Sequence, residues 1–130
     1  MAKVLVVDDN SESARLLGRL LTQLRYEVTV VNSGEAALDA LRDAVPHLVI
    51  LDLMMPGIDG AEVLRRMRER QETRSVPVAM FSAADDPAVR NGLLARGAQD
   101  FWIKGSFDFQ KLRERVESLL AASQHRRLPP

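Results

Sequence analysis

The sequence opens with MAKVLVVDDN at residues 1–10, and the class of fold can be inferred from this segment. Residues 4–7 are apolar and mostly β-branched, as in a buried strand, and two adjacent carboxylates, Asp8 and Asp9, follow directly. Two ionised carboxylates about 4 Å apart repel each other by about 4 kcal/mol at an effective dielectric constant of about 20. We therefore expect a buried strand that ends in a charged site, with a cation to offset the repulsion.

Five runs of this kind alternate with segments of helical spacing. Strands are predicted at KVLVV (3–7), EVTVV (27–31), HLVIL (47–51), VPVAMF (76–81) and DFWI (100–103). Strands this apolar belong in a parallel sheet covered by helices on both faces, so the pattern predicts an α/β fold, (βα)5, with a doubly wound five-stranded sheet. A single domain is expected at 1–122, and 123–130 is expected to form a flexible tail or a truncated linker.

Two of the helices carry specific expectations. In the first, one face of leucines is expected to be core, with Gly18 on the opposite side; the leucines are Leu16, Leu17, Leu20, Leu21 and Leu24. The fourth helix, at roughly 86–96, can be capped by Asp85 or Asp86. Gly92 lies in its middle, where glycine costs about 1 kcal/mol relative to alanine, so this is predicted to be the least stable helix.

Composition disfavours several classes of protein. Of 130 residues, 46% are apolar and 28% are charged, which is typical of a globular domain. The 18 Lys and Arg balance the 18 Asp and Glu, which disfavours a general nucleic-acid binder, and without cysteine there is no disulfide or thiolate metal site. The arginines of 65–70 alternate with glutamates and are expected to form a solvated helix face. The chain shows neither a signal peptide nor a membrane-spanning run, so a cytoplasmic protein without a membrane partner is expected.

Four of the five predicted strands end in polar or charged residues. Asp8 and Asp9 follow the first strand, Asp52 the third, Ser82 the fourth and Lys104 the fifth. Ligands of open parallel sheets bind beyond these ends. Three carboxylates around one hollow favour Mg²⁺, with Mn²⁺ as the alternative. A carboxylate beside a metal ion and a lysine can also accept a phosphoryl group.

The motifs VLVVDDN, LVILDLMMPGIDG, MFSA and DFWIKG, in register over 3–122, resemble the signature of response regulator receiver domains of two-component signalling. The resemblance implies a flavodoxin-like sheet with strand order 2-1-3-4-5. It implies a signalling switch rather than an enzyme, one that promotes its own phosphorylation and dephosphorylation. The implied partners are a histidine kinase or histidine phosphotransfer protein and a downstream protein. No DNA-binding domain is expected in this chain, which should be a monomer or weak dimer.

The same resemblance implies roles for the acidic residues. Asp52 matches the phosphoacceptor. Asp8 and Asp9 match the acidic pair that holds Mg²⁺, and Asp52 itself and the backbone carbonyl of Met54 would complete the protein ligands.

Ser82 and Lys104 match the hydroxyl and the ammonium that bind the phosphoryl group, and Phe101 matches the aromatic residue that repacks when the hydroxyl moves. Phe101 lacks the hydroxyl of the tyrosine often found there. Gly105 replaces the proline that usually follows the lysine. We expect a trans peptide bond before Gly105, because a cis bond at a non-proline residue costs about 3 kcal/mol, and a looser turn around Lys104.

Met54 and Ala84 flank the site with side chains that neither donate nor accept well. We hypothesise that water access, rather than a side chain that positions water, sets the lifetime of the acyl phosphate. Two alternatives to a phosphorylated switch stay open: a Mg²⁺-dependent aspartyl phosphatase or phosphotransferase, and a scaffold that is not phosphorylated. A flavodoxin-like cofactor binder is disfavoured, because DDNSES after the first strand would repel a phosphate.

Overall fold

A computed structural model describes residues 1–106 and 108–127, of which 123–127 are described by their backbone alone. Strands and helices alternate strictly along the described chain, as predicted. In chain order they are β1 (Lys3–Val7), α1 (Ser11–Gln23), β2 (Glu27–Val31), α2 (Gly34–Asp43), β3 (Leu48–Asp52), α3 (Gly60–Glu69), β4 (Val78–Ser82), α4 (Pro87–Ala95), β5 (Asp100–Ile103) and α5 (Phe109–Arg127).

The strands form one parallel sheet in the order β2-β1-β3-β4-β5, which confirms the predicted (βα)5 topology. In the centre, Val6 of β1 lies opposite Val30 on one side and Ile50 on the other. The order reverses between β1 and β3, and in doubly wound sheets the crevice for ligands opens at the carboxyl ends of the strands beside such a reversal. Both β3 and β4 extend one residue beyond the predicted limit, so Asp52 and Ser82 are the last residues of their strands.

Alternation along the strands supplies two separate cores. Leu51 and Phe101 belong to the core beneath α2, α3 and α4, which we call the α2/α3/α4 core. Their neighbours Ile50 and Trp102 belong to the core beneath α1 and α5, the α1/α5 core. The indole of Trp102 is buried there and its Nε1–H donates to Asp100 Oδ2 at 2.8 Å. Helices on both faces explain why β3 and β4 are buried at every position.

The second strand differs from the prediction of a buried strand. β2 is an edge of the sheet, and all five of its residues are exposed or half-buried, with Val30 40% exposed. Among the described residues no strand pairs with its outer edge, and α1 covers it only in part. Its apolar composition therefore reflects the preference of β-branched residues for strands rather than full burial.

The first helix buries the predicted leucine face except at one position, since Leu17 and Leu21 are buried and Leu20 and Leu24 pack against the α1/α5 core. Leu16 is 58% exposed instead of lying in the core, and Gly18 is buried instead of lying on the opposite side. A Cβ atom on Gly18 would lie 3.1 Å from Val30 Cγ2, so α1 approaches β2 closely at this glycine. The buried face of α1 follows i, i+3, i+4, i+7 spacing: Ala14, Leu17, Gly18 and Leu21.

The last two helices test the predicted limits of the fourth helix and of the domain. α4 follows an N-cap at Asp86, whose side chain accepts from the Ala88 N–H at 3.0 Å, so the predicted helix is confirmed. α5 continues to Arg127, past the predicted domain limit at residue 122. Residues 128–130 of the predicted tail lie outside the described residues, and its flexibility stays a prediction. Among the helices described, none combines the length and apolar content needed to cross a membrane.

Candidate functional site

The candidate site lies where β1, β3 and β5 end, directly above the α1/α5 core. Asp8 continues the alternation of β1 on that face and Asp52 ends β3, and their carboxylates are buried, with 0% and 4% of the residue exposed. Lys104 follows Trp102 by two residues, on the same face of the sheet, and reaches both carboxylates from the edge strand β5. The structure thus brings together three residues that the sequence predicted at separate strand ends.

Asp8 is held by contacts on every polar group but one. Its backbone N–H donates to Val31 O at 3.1 Å, and its carbonyl accepts from Asn32 Nδ2 at 2.9 Å. Its Oδ1 accepts from the backbone N–H of Asn10 at 3.0 Å and from Lys104 Nζ at 3.1 Å. Its Oδ2 lies 3.0 Å from Lys104 Nζ, but it accepts no hydrogen bond from the described residues. A buried carboxylate oxygen left in this state calls for a further positive or donor partner.

The three predicted metal ligands form one cluster. Asp8, Asp9 and Asp52 each place one carboxylate oxygen within 4.8 Å of the other two. Asp9 is exposed whereas the other two are buried, so one side of the hollow is open to solvent. Three hard oxygen donors, one of them the unsatisfied Oδ2 of Asp8, fit a divalent cation such as Mg²⁺, which keeps water on its open side.

Burial raises the pKa of Asp52 to about 7, and the neighbouring carboxylate of Asp8 acts in the same direction. Lys104, whose Nζ lies 3.5 Å from Asp52 Oδ2, lowers the pKa but does not offset these causes. Near neutral pH, Asp52 therefore retains part of its proton when no cation is present. A cation in the hollow would displace this proton and leave Asp52 as a carboxylate nucleophile.

Lys104 is fixed at both ends. Its backbone N–H donates to Ser82 O at 2.7 Å. Its Nζ lies between the carboxylates of Asp8 and Asp52 and 5.3 Å from the centroid of the Phe81 ring, which is within the range of a cation–π contact. The site therefore contains one ammonium shared by two carboxylates and one aromatic face.

The turn after Lys104 is formed by glycine at position 105, where a proline was expected from the resemblance. The peptide bond before Gly105 is trans, as expected, and Gly105 has φ +82°. The Ser106 N–H donates to Ile103 O at 3.2 Å. Together these are features of a type II turn, whose third residue needs a positive φ and is commonly glycine. Glycine thus specifies a tight turn here, not the looser one expected.

Ser82 and Phe101 lie on the other face of the sheet. The Ser82 hydroxyl is engaged in its own loop, where it donates to Ala84 O at 3.1 Å and accepts from the Ala84 N–H at 3.3 Å. Phe101 is buried in the α2/α3/α4 core. Because the single hydroxyl proton of Ser82 is used by the loop, a bond towards Asp52 would require it to leave Ala84.

Two contributors to the site were not predicted. Asn32, which donates to the carbonyl of Asp8, directly follows β2 at the same edge of the sheet. The rule that selected the other strand ends would have found it. Phe81, whose ring lies beneath Lys104, belongs to an apolar run in which nothing separates it from any other core residue.

Known proteins resemble the chain over most of its length. The model of the family described as response regulator receiver domain matches residues 4–117. The chain is 40% identical to response regulator PleD of Caulobacter vibrioides over 118 residues, 91% of this chain and 26% of PleD. It is 36% identical to the phosphate regulon transcriptional regulatory protein PhoB of Rhizobium meliloti, over 92% of this chain and 52% of PhoB. The chain thus spans about a quarter and about half of these relatives.

Solved structures agree with the fold. The chemotaxis protein CheY4 of Vibrio cholerae superposes with a TM-score of 0.85 at 27% identity, over 92% of this chain and 98% of that one. The receiver domain of the Francisella response regulator 1452 gives a TM-score of 0.85 at 28% identity, over 95% and 99%.

Proposed function

The chain belongs to the response regulator receiver domain family, a family of phosphorylation-dependent signalling domains, and on this basis we propose that Asp52 accepts a phosphoryl group from a histidine kinase or a histidine phosphotransfer protein. The transfer is proposed to require Mg²⁺ and to change the surface that a downstream protein binds. The proposal assigns the signalling unit to residues 1–122.

The observation that supports the proposal best is the environment of Asp52. It is a buried carboxylate at a strand end, clustered with Asp8 and Asp9 and paired with Lys104. Burial and neighbouring negative charge raise its pKa to about 7, which is a cost to the folded protein. Strongly shifted pKa values are common at functional sites. Here the negative charge of Asp52 would be stabilised by a bound cation or consumed by bonding to a phosphoryl group.

In the proposed reaction, a carboxylate oxygen of Asp52 attacks the phosphorus of the donor's phosphohistidine. The O–P bond forms as the N–P bond breaks, and the imidazole leaves with the bonding electron pair and takes up a proton from water. Mg²⁺ held by Asp8, Asp9, Asp52 and the backbone carbonyl of Met54 would supply positive charge beside the phosphoryl oxygens. Lys104 exchanges its 3.5 Å contact with Asp52 for a phosphoryl oxygen.

Ser82 and Phe101 are proposed to transmit the change. The Ser82 hydroxyl leaves Ala84 and donates to a phosphoryl oxygen, and Phe101 repacks beside it. The neighbouring α4 is suited to respond, because Leu93 is the one buried residue among its nine. An element with so little buried apolar surface shifts at low cost. The phosphoryl group would thereby favour a second arrangement of the α4 region.

The test is the intact mass of the protein after incubation with acetyl phosphate, with and without Mg²⁺. One phosphoryl group should be added only when Mg²⁺ is present, and Asp52→Asn should add none. Asp59→Asn is the matched control: Asp59 caps α3 through the Glu62 N–H at 2.9 Å, and asparagine caps equally well. It should be labelled like the wild type. Trp102 fluorescence in the same samples reports whether the surroundings of the site change.

Labelling that persists in Asp52→Asn would place the acceptor elsewhere and contradict the proposal. Steady release of phosphate from phosphate monoesters would favour the aspartyl phosphatase instead. If the protein binds neither Mg²⁺ nor a phosphoryl group, from acetyl phosphate or from a phosphohistidine donor, the acidic cluster is structural and the scaffold alternative is correct.

A further inference from the structure

We propose that Phe81 is a positioning residue for Lys104: its aromatic face holds the ammonium in place while the carboxylates around it change partners. The inference rests on the proposed function, because it concerns how the lysine that would bind the phosphoryl group is kept in position. It assigns a role to a residue whose place in an apolar strand otherwise marks it only as core.

The position of Phe81 follows from the register of the sheet. In β4 it lies opposite Asp52 of β3 and opposite Trp102 of β5, so its side chain lies on the same face as both. It is the uppermost aromatic residue of the α1/α5 core on β4 and is 7% exposed. Lys104 Nζ lies 5.3 Å from its ring centroid. The ring is therefore the floor of the charged site.

The lysine needs such a contact because, apart from its two ion pairs, little restricts its side chain. A lysine side chain is a flexible four-carbon stem, and its ammonium is a point charge that does not favour one partner geometry. Beside Lys104, between α1 and the loop after β5, lies a cleft of about 120 Å³ that Phe81 and Gly105 also line. This space leaves other rotamers available. Packing alone therefore does not fix the ammonium.

The aromatic contact also differs from the two ion pairs in what happens during transfer. The contacts with Asp8 and Asp52 compete with any cation in the hollow and with the incoming phosphoryl oxygens. The ring has no such competitor, because it is uncharged and lies on the core side of the ammonium. A cation–π contact is strongest where water is excluded, and the Lys104 side chain is 22% exposed. Phe81 is thus the one of these three contacts that persists throughout the reaction.

The test compares Phe81→Leu, which keeps the site apolar but removes the ring, with Phe81→Tyr, which keeps the ring. Val116→Ala is the control for loss of packing, since Val116 is buried in the same core on α5. The chain has three lysines, Lys3, Lys104 and Lys111, so lysine-selective ¹³C labelling gives three ε-methylene signals. Lys104→Met assigns the signal of Lys104.

The ε-methylene protons of Lys104 should be shifted upfield by the ring current in the wild type, in Phe81→Tyr and in Val116→Ala. In Phe81→Leu they should coincide with those of Lys3 and Lys111. With acetyl phosphate and Mg²⁺, the rate of phosphorylation should fall about fivefold in Phe81→Leu only, while the dependence of the rate on Mg²⁺ concentration is unchanged.

Equal Lys104 shifts in the wild type and Phe81→Leu would overturn the proposal, as would equal rates in Phe81→Leu and Val116→Ala. If Phe81→Leu does not fold, the comparison of the wild type with Lys3 and Lys111 still decides whether the ring contact exists. If the wild type takes up no phosphoryl group, the proposed function fails separately, and the Lys104 shift alone then decides the contact.

Discussion

Lys104 and Asp8 form an ion pair that reaches from β5 to β1 across two intervening strands, with 3.0 Å between Nζ and Oδ2. The residues are 96 positions apart in the sequence, and the Asp8 carboxylate is fully buried. A buried pair is costly to form but far more costly to break on one side, because the remaining charge has no partner. The site therefore depends on the register of four strands at once.

Replacing Lys104 by methionine is expected to destabilise the protein by about 3 kcal/mol at pH 8, because Asp8 becomes a buried carboxylate without a counter-ion. The loss should be smaller at pH 5, where Asp52 is protonated and the site holds one negative charge fewer. Urea unfolding followed by Trp102 fluorescence measures both values. Lys111→Met changes an exposed lysine of α5 and should cost less than about 0.5 kcal/mol. A Lys104→Met loss no larger than this control would mean that the ion pair does not stabilise the fold.

The metal-free protein is expected to lose stability as the pH rises from about 4 to about 7. Folding raises the pKa of Asp52 from its ordinary 3.8 to about 7, so in this window the folded state binds a proton that the unfolded state has lost. The stability that Asp52 contributes is fully present below its pKa in the unfolded state and is lost above its pKa in the folded state.

Asp52→Asn removes this titration and should be more stable than the wild type by roughly 1–3 kcal/mol at pH 8, because asparagine avoids the buried negative charge that Asp52 carries at that pH. The two proteins should converge near pH 4. Urea titrations in the presence of a chelator measure the difference, and Asp59→Asn should follow the wild type at every pH. A difference that does not vary with pH would exclude the titration of Asp52 as its cause.

Mg²⁺ should bind about tenfold more tightly at pH 8 than at pH 6, because the cation must displace a proton whose pKa is about 7. Calorimetry in two buffers of different ionisation enthalpy should show the release of up to one proton at pH 6 and much less at pH 8. Asp52→Asn should bind more weakly and lose this pH dependence. Equal affinity and no proton release at the two pH values would show that the cation does not contact the protonated Asp52.

Much of the fold could be predicted because strand alternation and strand ends are local properties. Each apolar run predicted a strand, and the polar residue at its end predicted a member of the site, as Asp8 and Asp52 illustrate. What sequence could not indicate was how far each element is covered. EVTVV is rich in β-branched residues like a central strand, yet β2 is an edge, and Gly18 rather than Leu16 meets the sheet. Which residue of a helix contacts the sheet depends on how closely the helix and the strand pack, and the sequence pattern of either element does not determine this alone.

The same limit applies to the arginines of α3. Charges of both signs predicted a solvated face, and Arg65 does pair with Glu62 and Glu69 along the helix. Arg68, however, donates to Gly97 O through Nε at 3.1 Å and through Nη2 at 2.8 Å, joining α3 to the loop before β5. The partner lies 29 residues away, where no local charge pattern points. Phe81 beneath Lys104 was missed for the same reason.

Two glycines with open space around them should respond to alanine in opposite directions. At neither Gly92 nor Gly105 would an added Cβ meet a described atom within 4 Å. Gly92 is helical, so Gly92→Ala should stabilise the protein by about 0.5–1 kcal/mol. Gly105 has φ +82°, so Gly105→Ala should destabilise it by about 1–2 kcal/mol.

Urea unfolding at one pH measures both glycine variants, and hydrogen exchange should show slower opening of α4 in Gly92→Ala. In the wild type, α4 should exchange faster than α1. If α4 is as protected as α1, its proposed role as the responding element is wrong. If both alanine variants shift stability in the same direction, backbone conformation is not what distinguishes the two glycines.

The lifetime of the proposed acyl phosphate should depend on the two residues that flank Asp52 on the solvent side. Met54 is 74% exposed and Ala84 is exposed, and neither side chain can hold a water molecule for attack on phosphorus. If water access limits hydrolysis, Met54→Asn and Ala84→Glu should change the rate of dephosphorylation several-fold, because each alters the polar groups at the entrance. The decay of the phosphorylated mass after removal of acetyl phosphate measures this rate. Val45→Asn, an exposed apolar residue before β3 at the opposite end of the sheet, should leave it unchanged. Rates equal to the wild type in both site variants would rule out control by access at these positions, and hydrolysis would then be limited by the geometry around Asp52 itself.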